Sequence, residues 1–211
     1  FGNEAYILTG YFNIPKIFEL TLNNGCDKMT GQQLGLKLGY ATEFETYEEL
    51  YDAFKKQMKY FIDIKVQGSN VIEKIYAEEM PVPFLSIITN DCISKGKDYN
   101  GGGARYNTKY LQGVGIGTIT DCLASVKYNV YEKKNFSMKE LMQALDDNFE
   151  GHDRILNLVS NKTPKYGNDD EYADSIMRDV FEYYRSQVTG RPNMLGGTYR
   201  ITVSYTHLTL P

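Results

Sequence analysis

The residue pattern alone predicts a globular, helix-rich fold with few strands. Apolar residues recur at helical spacing in six or seven segments. The Thr-x-x-Glu sequence at Thr46 and the Ser-x-x-Glu sequence at Ser137 form capping boxes, which mark helix starts. Residues 198–203 (TYRITV) carry the strongest strand pattern. Helices are therefore expected to form most of the scaffold.

The predicted helices take their starts and ends from capping residues, prolines and glycines. Residues 1–12 are expected to form a loop, after which Asn13 caps a helix that stops at Gly25. The helix after Thr46 is either one long helix or two helices broken near Gly68. The helices expected downstream have similar boundaries: Pro83 to Gly96, Ile119 to Val130, Ser137 to Gly151, and a last helix capped by Asn168 or Asp169.

Composition and charge exclude several classes of function. The chain has 211 residues and a net charge of −4 with both signs intermixed, so no basic face indicates nucleic acid binding. No run of about 18 apolar residues predicts a membrane span. The dispersed cysteines, Cys26, Cys92 and Cys122, are expected to be free core thiols in a reducing, cytoplasmic compartment. The chain has only two histidines, His152 and His207, so neither a histidine zinc site nor a Ser-His-Asp triad is expected.

Residues 98–128 (DYNGGGARYNTKYLQGVGIGTITDCLASVKY) form the most distinctive segment, because glycines, amides and aromatic residues give way there to a helical apolar pattern. The run Gly113-Val-Gly115-Ile-Gly117 suggests a dinucleotide-binding loop, but Thr118 stands where that motif has its last glycine. The residues before the run do not form an apolar strand, and no acid follows at a strand end about twenty residues later. We therefore expect these glycines to permit close backbone packing.

Polar residues in and beyond this segment have two interpretations each. Asn107 and Gln112 can brace a loop or point at a ligand, and Asp121 can be a buried polar anchor or a partner of the helix dipole. For each of them, bracing a loop is the commoner fate of such side chains. Residues 169–171 (Asp-Asp-Glu) have the composition of a metal site. Acids at a helix N-terminus already explain them, because they complement the helix dipole.

The chain shares long motifs with a known family. GGGARYNTKYLQGVGIGTITDCLASVKY, NFSMKELMQALDDNFEGH and TPKYGNDDEYAD resemble the body of glycyl radical enzymes of the pyruvate formate-lyase type. Within that family, GNEAYILTGYFNIPKIFELTLNNG is most similar to the branch that dehydrates trans-4-hydroxy-L-proline. The resemblance extends from residue 1 to about residue 202.

The resemblance implies an α/β fold, in which this chain is a helix-rich fragment of a ten-stranded barrel. It also implies a glycyl radical, installed on the parent protein by a radical S-adenosylmethionine activating enzyme. The radical passes to a cysteine, and the thiyl radical abstracts hydrogen from a small-molecule substrate. Loss of the C4 hydroxyl as water would give a pyrroline carboxylate. The parent is expected to be a homodimer, with no bound cofactor, nucleic acid, metal or membrane contact.

The resemblance transfers one site residue to this chain. Tyr11, in a Thr-Gly-Tyr-Phe-Asn turn, matches a residue that lines the substrate pocket, and its phenol can hydrogen-bond a substrate oxygen. The alternative is an aromatic plug against the following helix. No catalytic residue is assigned, because the family's Gly-Cys-Val-Glu-Thr cysteine loop would precede Phe1 and its radical glycine would follow Pro211.

The two ends of the chain predict an interior fragment. The chain begins Phe-Gly-Asn without an initiator methionine, so residues 1–202 are expected to be part of a barrel domain and to be inactive alone. Such a fragment should expose apolar faces that the rest of the barrel covers. Residues 203–211 (VSYTHLTLP) are interpreted as a translated sequencing adapter.

Two alternatives remain open. A glycerol or diol dehydratase, or a C–C or C–N lyase of the same family, would share the scaffold. A helical interaction module would have the helices without the chemistry. A complete upstream sequence separates the enzyme from the module, because the enzyme requires the Gly-Cys-Val-Glu loop.

Overall fold

The computed structural model describes residues 5–204, and the predicted α/β, helix-rich class is confirmed. The chain divides into two compact units. Unit 1 is formed by residues 5–12, 61–113 and 184–204, and unit 2 by residues 13–60 and 114–183. No helix in the described part of the chain is both long enough and apolar enough to cross a bilayer.

Three strands and eight α-helices lie within residues 5–204. The strands β1 (Ala5–Asn13), β2 (Asn107–Val114) and β3 (Tyr199–Ser204) form one parallel sheet in the order β1-β2-β3. The helices are α1 (Ile14–Leu22), α2 (Tyr47–Glu79), α3 (Pro83–Ile88), α4 (Cys92–Lys95), α5 (Ile116–Val126), α6 (Met138–Asp146), α7 (Asp153–Asn157) and α8 (Glu171–Val188). The π-helical segments Lys127–Glu132 and Leu158–Lys162 extend α5 and α7.

Hydrogen bonds confirm three predicted helix starts. The side chain of Asn13 accepts a backbone amide in the first turn of α1 at 3.2 Å. The hydroxyl of Thr46 accepts the amide of Glu49 at 3.2 Å, which completes a capping box before α2. The hydroxyl of Ser137 and the carboxylate of Glu140 form the same reciprocal pair before α6. Each box satisfies amides that the helix leaves without internal partners.

The single helix predicted from Pro83 to Gly96 is wrong. The structure has α3 and α4 there, separated where Asp91 takes a left-handed conformation with φ of 74°. A residue in this conformation interrupts the helical hydrogen-bond ladder. Arg105 lies 3.0 Å from the Asp91 carboxylate, so an ion pair accompanies the break.

The structure fixes three other helix boundaries that the sequence left open or placed differently. The long helix α2 continues through Gly68 without a break. The carboxylate of Asp170 accepts the amide of Tyr172 at 3.0 Å, so Asp170 caps α8 in place of the predicted Asn168 or Asp169. Helix α6 ends before its predicted stop at residue 151, and α7 was not predicted.

Two of the three strands were missed from the sequence. Residues 5–12 belong to β1, so the loop predicted for residues 1–12 is wrong over its described part. Strand β2 lies inside the 98–128 segment, where the sequence shows no apolar run. Both strands pair with segments far away in sequence, and such pairing leaves little local signal. The strand predicted at residues 198–203 is confirmed as β3, and residues 205–211 of the predicted tail lie outside the described residues.

Glycines of the distinctive segment lie at close contacts, as predicted. Gly115 precedes α5 with φ of 81°, and a Cβ placed there would lie 2.6 Å from the Cγ atom of Pro15. A Cβ at Gly103 would lie 2.1 Å from the carbonyl oxygen of Lys97. A larger residue at Gly103 would therefore distort the turn that enters β2, and a larger residue at Gly115 would displace the start of α5 from Pro15.

Unit 2 has its own core and holds the long excursion at residues 26–45. Phe18 of α1 packs edge-on against Phe54 of α2, with ring centroids 5.6 Å apart. The buried amide of Gln57 both accepts from the Leu36 amide, at 2.9 Å, and donates to the Leu36 carbonyl, at 2.6 Å. This pair of hydrogen bonds fixes the excursion on α2.

The substitution Gly115→Ala tests the close contact with Pro15, and Gly151→Ala is its matched control. Both glycines have left-handed backbone angles, but a Cβ at Gly151 meets no atom within 4 Å. The control should lower the free energy of unfolding only by the cost of the left-handed conformation, about 1–2 kcal/mol. Gly115→Ala should lower it by about 1–3 kcal/mol more, because its methyl group collides with the rigid ring of Pro15. Equal losses in chemical unfolding would show that the contact relaxes freely.

Candidate functional site

The sheet has one covered face and one open face. Phe12 is buried and stacks on Tyr184, with ring centroids 5.6 Å apart, and the Tyr184 hydroxyl donates to the Leu111 carbonyl at 3.1 Å. Successive side chains of a strand point to opposite faces, so Tyr11 points away from this packing. Tyr11 is 69% exposed, which does not fit the alternative of an aromatic plug.

The open face is polar. It includes four polar side chains that alternate with more buried ones along the three strands: Tyr11, Tyr110, Gln112 and Arg200. Arg200 is exposed beside the fully buried Tyr199, whose hydroxyl donates to Asn70 of α2 at 2.9 Å. These side chains offer phenol, amide and guanidinium groups, which together can bind a polar or carboxylate-bearing molecule.

The backbone beside Tyr11 is fixed by Gly10 and Lys65. Gly10 has φ of 135°, a conformation that residues with side chains rarely adopt. Lys65 of α2 donates from Nζ to the carbonyl of Thr9 at 3.0 Å. A Cβ at Gly10 would lie 2.7 Å from that Nζ atom, so the glycine leaves room for the lysine. Thr9, two residues before Tyr11, is thus tied to α2 on the covered face.

Asn107 braces the loop that enters β2, as predicted. Its Nδ2 donates to the carbonyls of Gly102 and Ala104 at 3.2 Å and 3.1 Å. The backbone carbonyl of Asn107 accepts from Nδ2 of Asn193 at 2.6 Å. The start of β2 is therefore held on both sides. Gln112 lies on the open face and is half-buried there.

Asp98 organises the turn before this loop. Its carboxylate accepts from the Val82 amide at 2.9 Å and from the Ser86 hydroxyl at 2.7 Å. The amide of Asn100 adds a bond at 2.8 Å. Burial disfavours the charged carboxylate, but these hydrogen bonds outweigh it, so the pKa of Asp98 lies below its ordinary value. Asp98 thus stays ionised and holds the glycine-rich turn closed.

Asp121, Asp170 and Glu171 have structural roles. In unit 2, Asp121 accepts the amide of Tyr166 at 2.9 Å, which confirms the predicted bracing of a loop. Within the acidic run, Asp170 caps α8 and Glu171 pairs with Arg178. No group of three or more His, Cys, Asp or Glu side chains in the described part of the chain is arranged to hold a metal ion.

The cysteines are free, but only one is a core residue. Cys92 is buried, and burial raises the pKa of its thiol, so it packs as a small apolar side chain. Cys26 is half-buried. The prediction is wrong for Cys122, which is exposed on α5 beside an apolar groove of unit 2. Helical spacing puts Cys122 on the same side of α5 as the buried Ile119 and Val126, so the sequence pattern cannot show that Cys122 alone is exposed.

A buried ion pair in unit 1 was not predicted from the sequence. Lys109 of β2 and Glu73 of α2 are 3% and 8% exposed, and Nζ lies 3.6 Å from Oε1. Burial disfavours the charged lysine, and its pKa is lowered despite the attraction of Glu73. Local patterns gave no signal, because a charged residue in a long amphipathic helix is normally solvated.

Comparison with known proteins decides the family. The family model described as pyruvate formate lyase-like matches residues 1–210. The chain belongs to the pyruvate formate lyase-like family. The predicted resemblance to glycyl radical enzymes is thereby confirmed.

Pyruvate formate lyase-like relatives match nearly the whole chain. Trans-4-hydroxy-L-proline dehydratase from Clostridioides difficile is 63% identical over 201 residues, which are 95% of this chain and 26% of the relative. (2S)-3-sulfopropanediol dehydratase from Klebsiella oxytoca is 37% identical over 190 residues, 90% of this chain and 23% of the relative. The crystal structure of the Clostridioides difficile hydroxyproline dehydratase with trans-4-hydroxy-L-proline bound matches with a TM-score of 0.93 and 62% identity, covering 96% of this chain and 26% of that one.

The chain spans about a quarter of the length of these relatives. The names of both relatives are those of dehydratases.

Proposed function

We propose that the protein containing this chain is a glycyl radical dehydratase that eliminates water from trans-4-hydroxy-L-proline. The observation that carries the proposal is the difference in identity between relatives. The hydroxyproline dehydratase shares far more of this sequence than the sulfopropanediol dehydratase does, over a similar share of the chain. The match to the structure with trans-4-hydroxy-L-proline bound supports the same substrate.

In this proposal the residues of the chain bind and orient the substrate. Hydrogen abstraction is the chemistry that a glycyl radical of the parent protein would supply through a cysteine thiyl group. Tyr11 stands on the open face with an exposed phenol, which can donate a hydrogen bond to a substrate oxygen. Such a bond holds the substrate at a defined distance from the sheet.

The open face matches the polar groups of the proposed substrate. Hydroxyproline carries a carboxylate, a secondary ammonium and a hydroxyl group. The guanidinium of Arg200 can bind a carboxylate with two parallel hydrogen bonds. The phenol of Tyr11 and the amide of Gln112 can then bind the hydroxyl or the ammonium. Side chains on three different strands would thereby define one orientation of the substrate ring.

The proposal includes further protein contacts. A radical S-adenosylmethionine activating enzyme would install the radical, and two copies of the parent would form a dimer in the cytoplasm. Apolar side chains on α3 and α4 are strongly exposed, with Phe84 at 85%, Ile88 at 68% and Ile93 at 71%. Surfaces of this kind commonly contact other protein segments, which supports the view of the chain as part of a larger barrel.

Substrate turnover tests the proposal. The full-length protein, activated anaerobically, should consume trans-4-hydroxy-L-proline and release a pyrroline carboxylate, measured by mass spectrometry. L-proline is the matched control, because it lacks the C4 hydroxyl and should not be dehydrated. Turnover of glycerol or another diol without loss of hydroxyproline would instead assign the protein to a different dehydratase of the family.

The substitution Tyr11→Phe tests the proposed role of the phenol. Loss of one hydrogen bond to a charged or polar substrate should lower kcat/KM by about 10–100-fold, corresponding to about 1.5–3 kcal/mol. Tyr40→Phe is the control, because Tyr40 is also exposed, at 54%, but lies in unit 2. Stability should be unchanged in both variants. Equal kinetics for the two variants would show that the phenol of Tyr11 does not contribute to substrate binding.

A further inference from the structure

A cavity of about 350 Å³ in unit 1 contains the ion pair of Glu73 and Lys109. Lys109, which lines the cavity, alternates along β2 with Tyr110 of the open face, so the cavity lies on the covered side of the sheet. Helix α2 lines it with residues one turn apart, including Ser69, Glu73 and Tyr76. Tyr76 is 47% exposed, so the cavity reaches the surface of the described residues.

The carboxylate of Glu73 is incompletely bonded. Its Oε2 accepts the amide of Met194 at 3.3 Å, but its Oε1 is buried and has no hydrogen bond. Lys109 Nζ lies 3.6 Å from Oε1, which is beyond hydrogen-bond distance. Buried ion pairs are stable only when further hydrogen bonds satisfy the charged atoms. The pair therefore presents one acceptor and at least one donor to the same space.

The distance between the two atoms suits an inserted hydroxyl group. An oxygen about 2.8 Å from both atoms can lie beside the pair, because the two atoms are only 3.6 Å apart. A hydroxyl group donates one hydrogen bond and accepts others, so it satisfies both atoms at once. A free cation would be repelled by Lys109, and a free anion by Glu73.

The size and the walls of the cavity favour a molecule larger than water. One water needs only about 10–15 Å³ of such space, and ligand pockets begin at about 300 Å³. The apolar side chains of Ile72 and Leu195 line the same cavity. They can contact the carbon atoms of a ligand while the ion pair binds its hydroxyl groups.

We propose that this cavity binds a small neutral polyol, with one hydroxyl donating to Glu73 Oε1 and accepting from Lys109 Nζ. The site is separate from the open face, and the proposal does not depend on the substrate of the enzyme. Occupation would complete the bonding of the ion pair and tie α2 to β2.

Calorimetry with erythritol on the full-length, unactivated protein tests the site. The wild type should bind it saturably, and the double variant Glu73→Leu, Lys109→Met should bind at least about tenfold more weakly, a loss of about 1.4 kcal/mol. Replacing both charges together leaves no unpaired buried ion, so this variant should fold. The control is Lys74→Met, Glu78→Leu, which removes an exposed ion pair of the same helix, 3.8 Å apart. It should bind as the wild type does.

Three outcomes would overturn the proposal: no binding to the wild type, equal binding to the wild type and the cavity variant, and equal weakening in the control. If the cavity variant does not fold, a crystal structure of the wild type with erythritol decides the question. A polyol oxygen within about 3.2 Å of both Glu73 Oε1 and Lys109 Nζ supports the site. Water alone in the cavity, or an adventitious additive only, refutes it.

Discussion

The alternation of side chains along β1 is the constraint that decides which face of the sheet carries Tyr11 and the proposed substrate contacts. Phe12 is buried against Tyr184, and a strand period of two then leaves Tyr11 on the other face. A slip of one residue would exchange the two aromatic rings and bury the phenol. The register is held by Lys65, which donates to the backbone of Thr9, and by the hydroxyl of Thr9, which donates to the carbonyl of Tyr110 at 3.0 Å.

Charged and amide side chains complete the scaffold around this sheet. Asp98 gathers hydrogen bonds from the chain before β2, and Asn107 joins the glycine-rich turn to the segment before β3. The glycines of that turn matter because backbone atoms occupy the space that side chains would need, as at Gly103. The glycine-rich turn resembles a phosphate-binding loop in composition, but its glycines serve to pack the backbone closely and so position β2.

Local signals in the sequence predicted the helices well and the sheet poorly. The caps at Asn13, Thr46 and Ser137 are determined by residues within one turn, so the sequence alone identifies them. Strands β1 and β2 depend on partners distant in sequence, and their mixed composition hides them. The polar open face could be predicted only in part: the family resemblance indicated Tyr11, while the other side chains depend on strand register.

A crystal structure of the full-length protein with trans-4-hydroxy-L-proline bound would show which face of the sheet the substrate contacts. We expect the substrate on the open face, with the Tyr11 hydroxyl within about 3.2 Å of a substrate oxygen. A substrate bound elsewhere, with Tyr11 in contact only with protein atoms, would contradict this expectation.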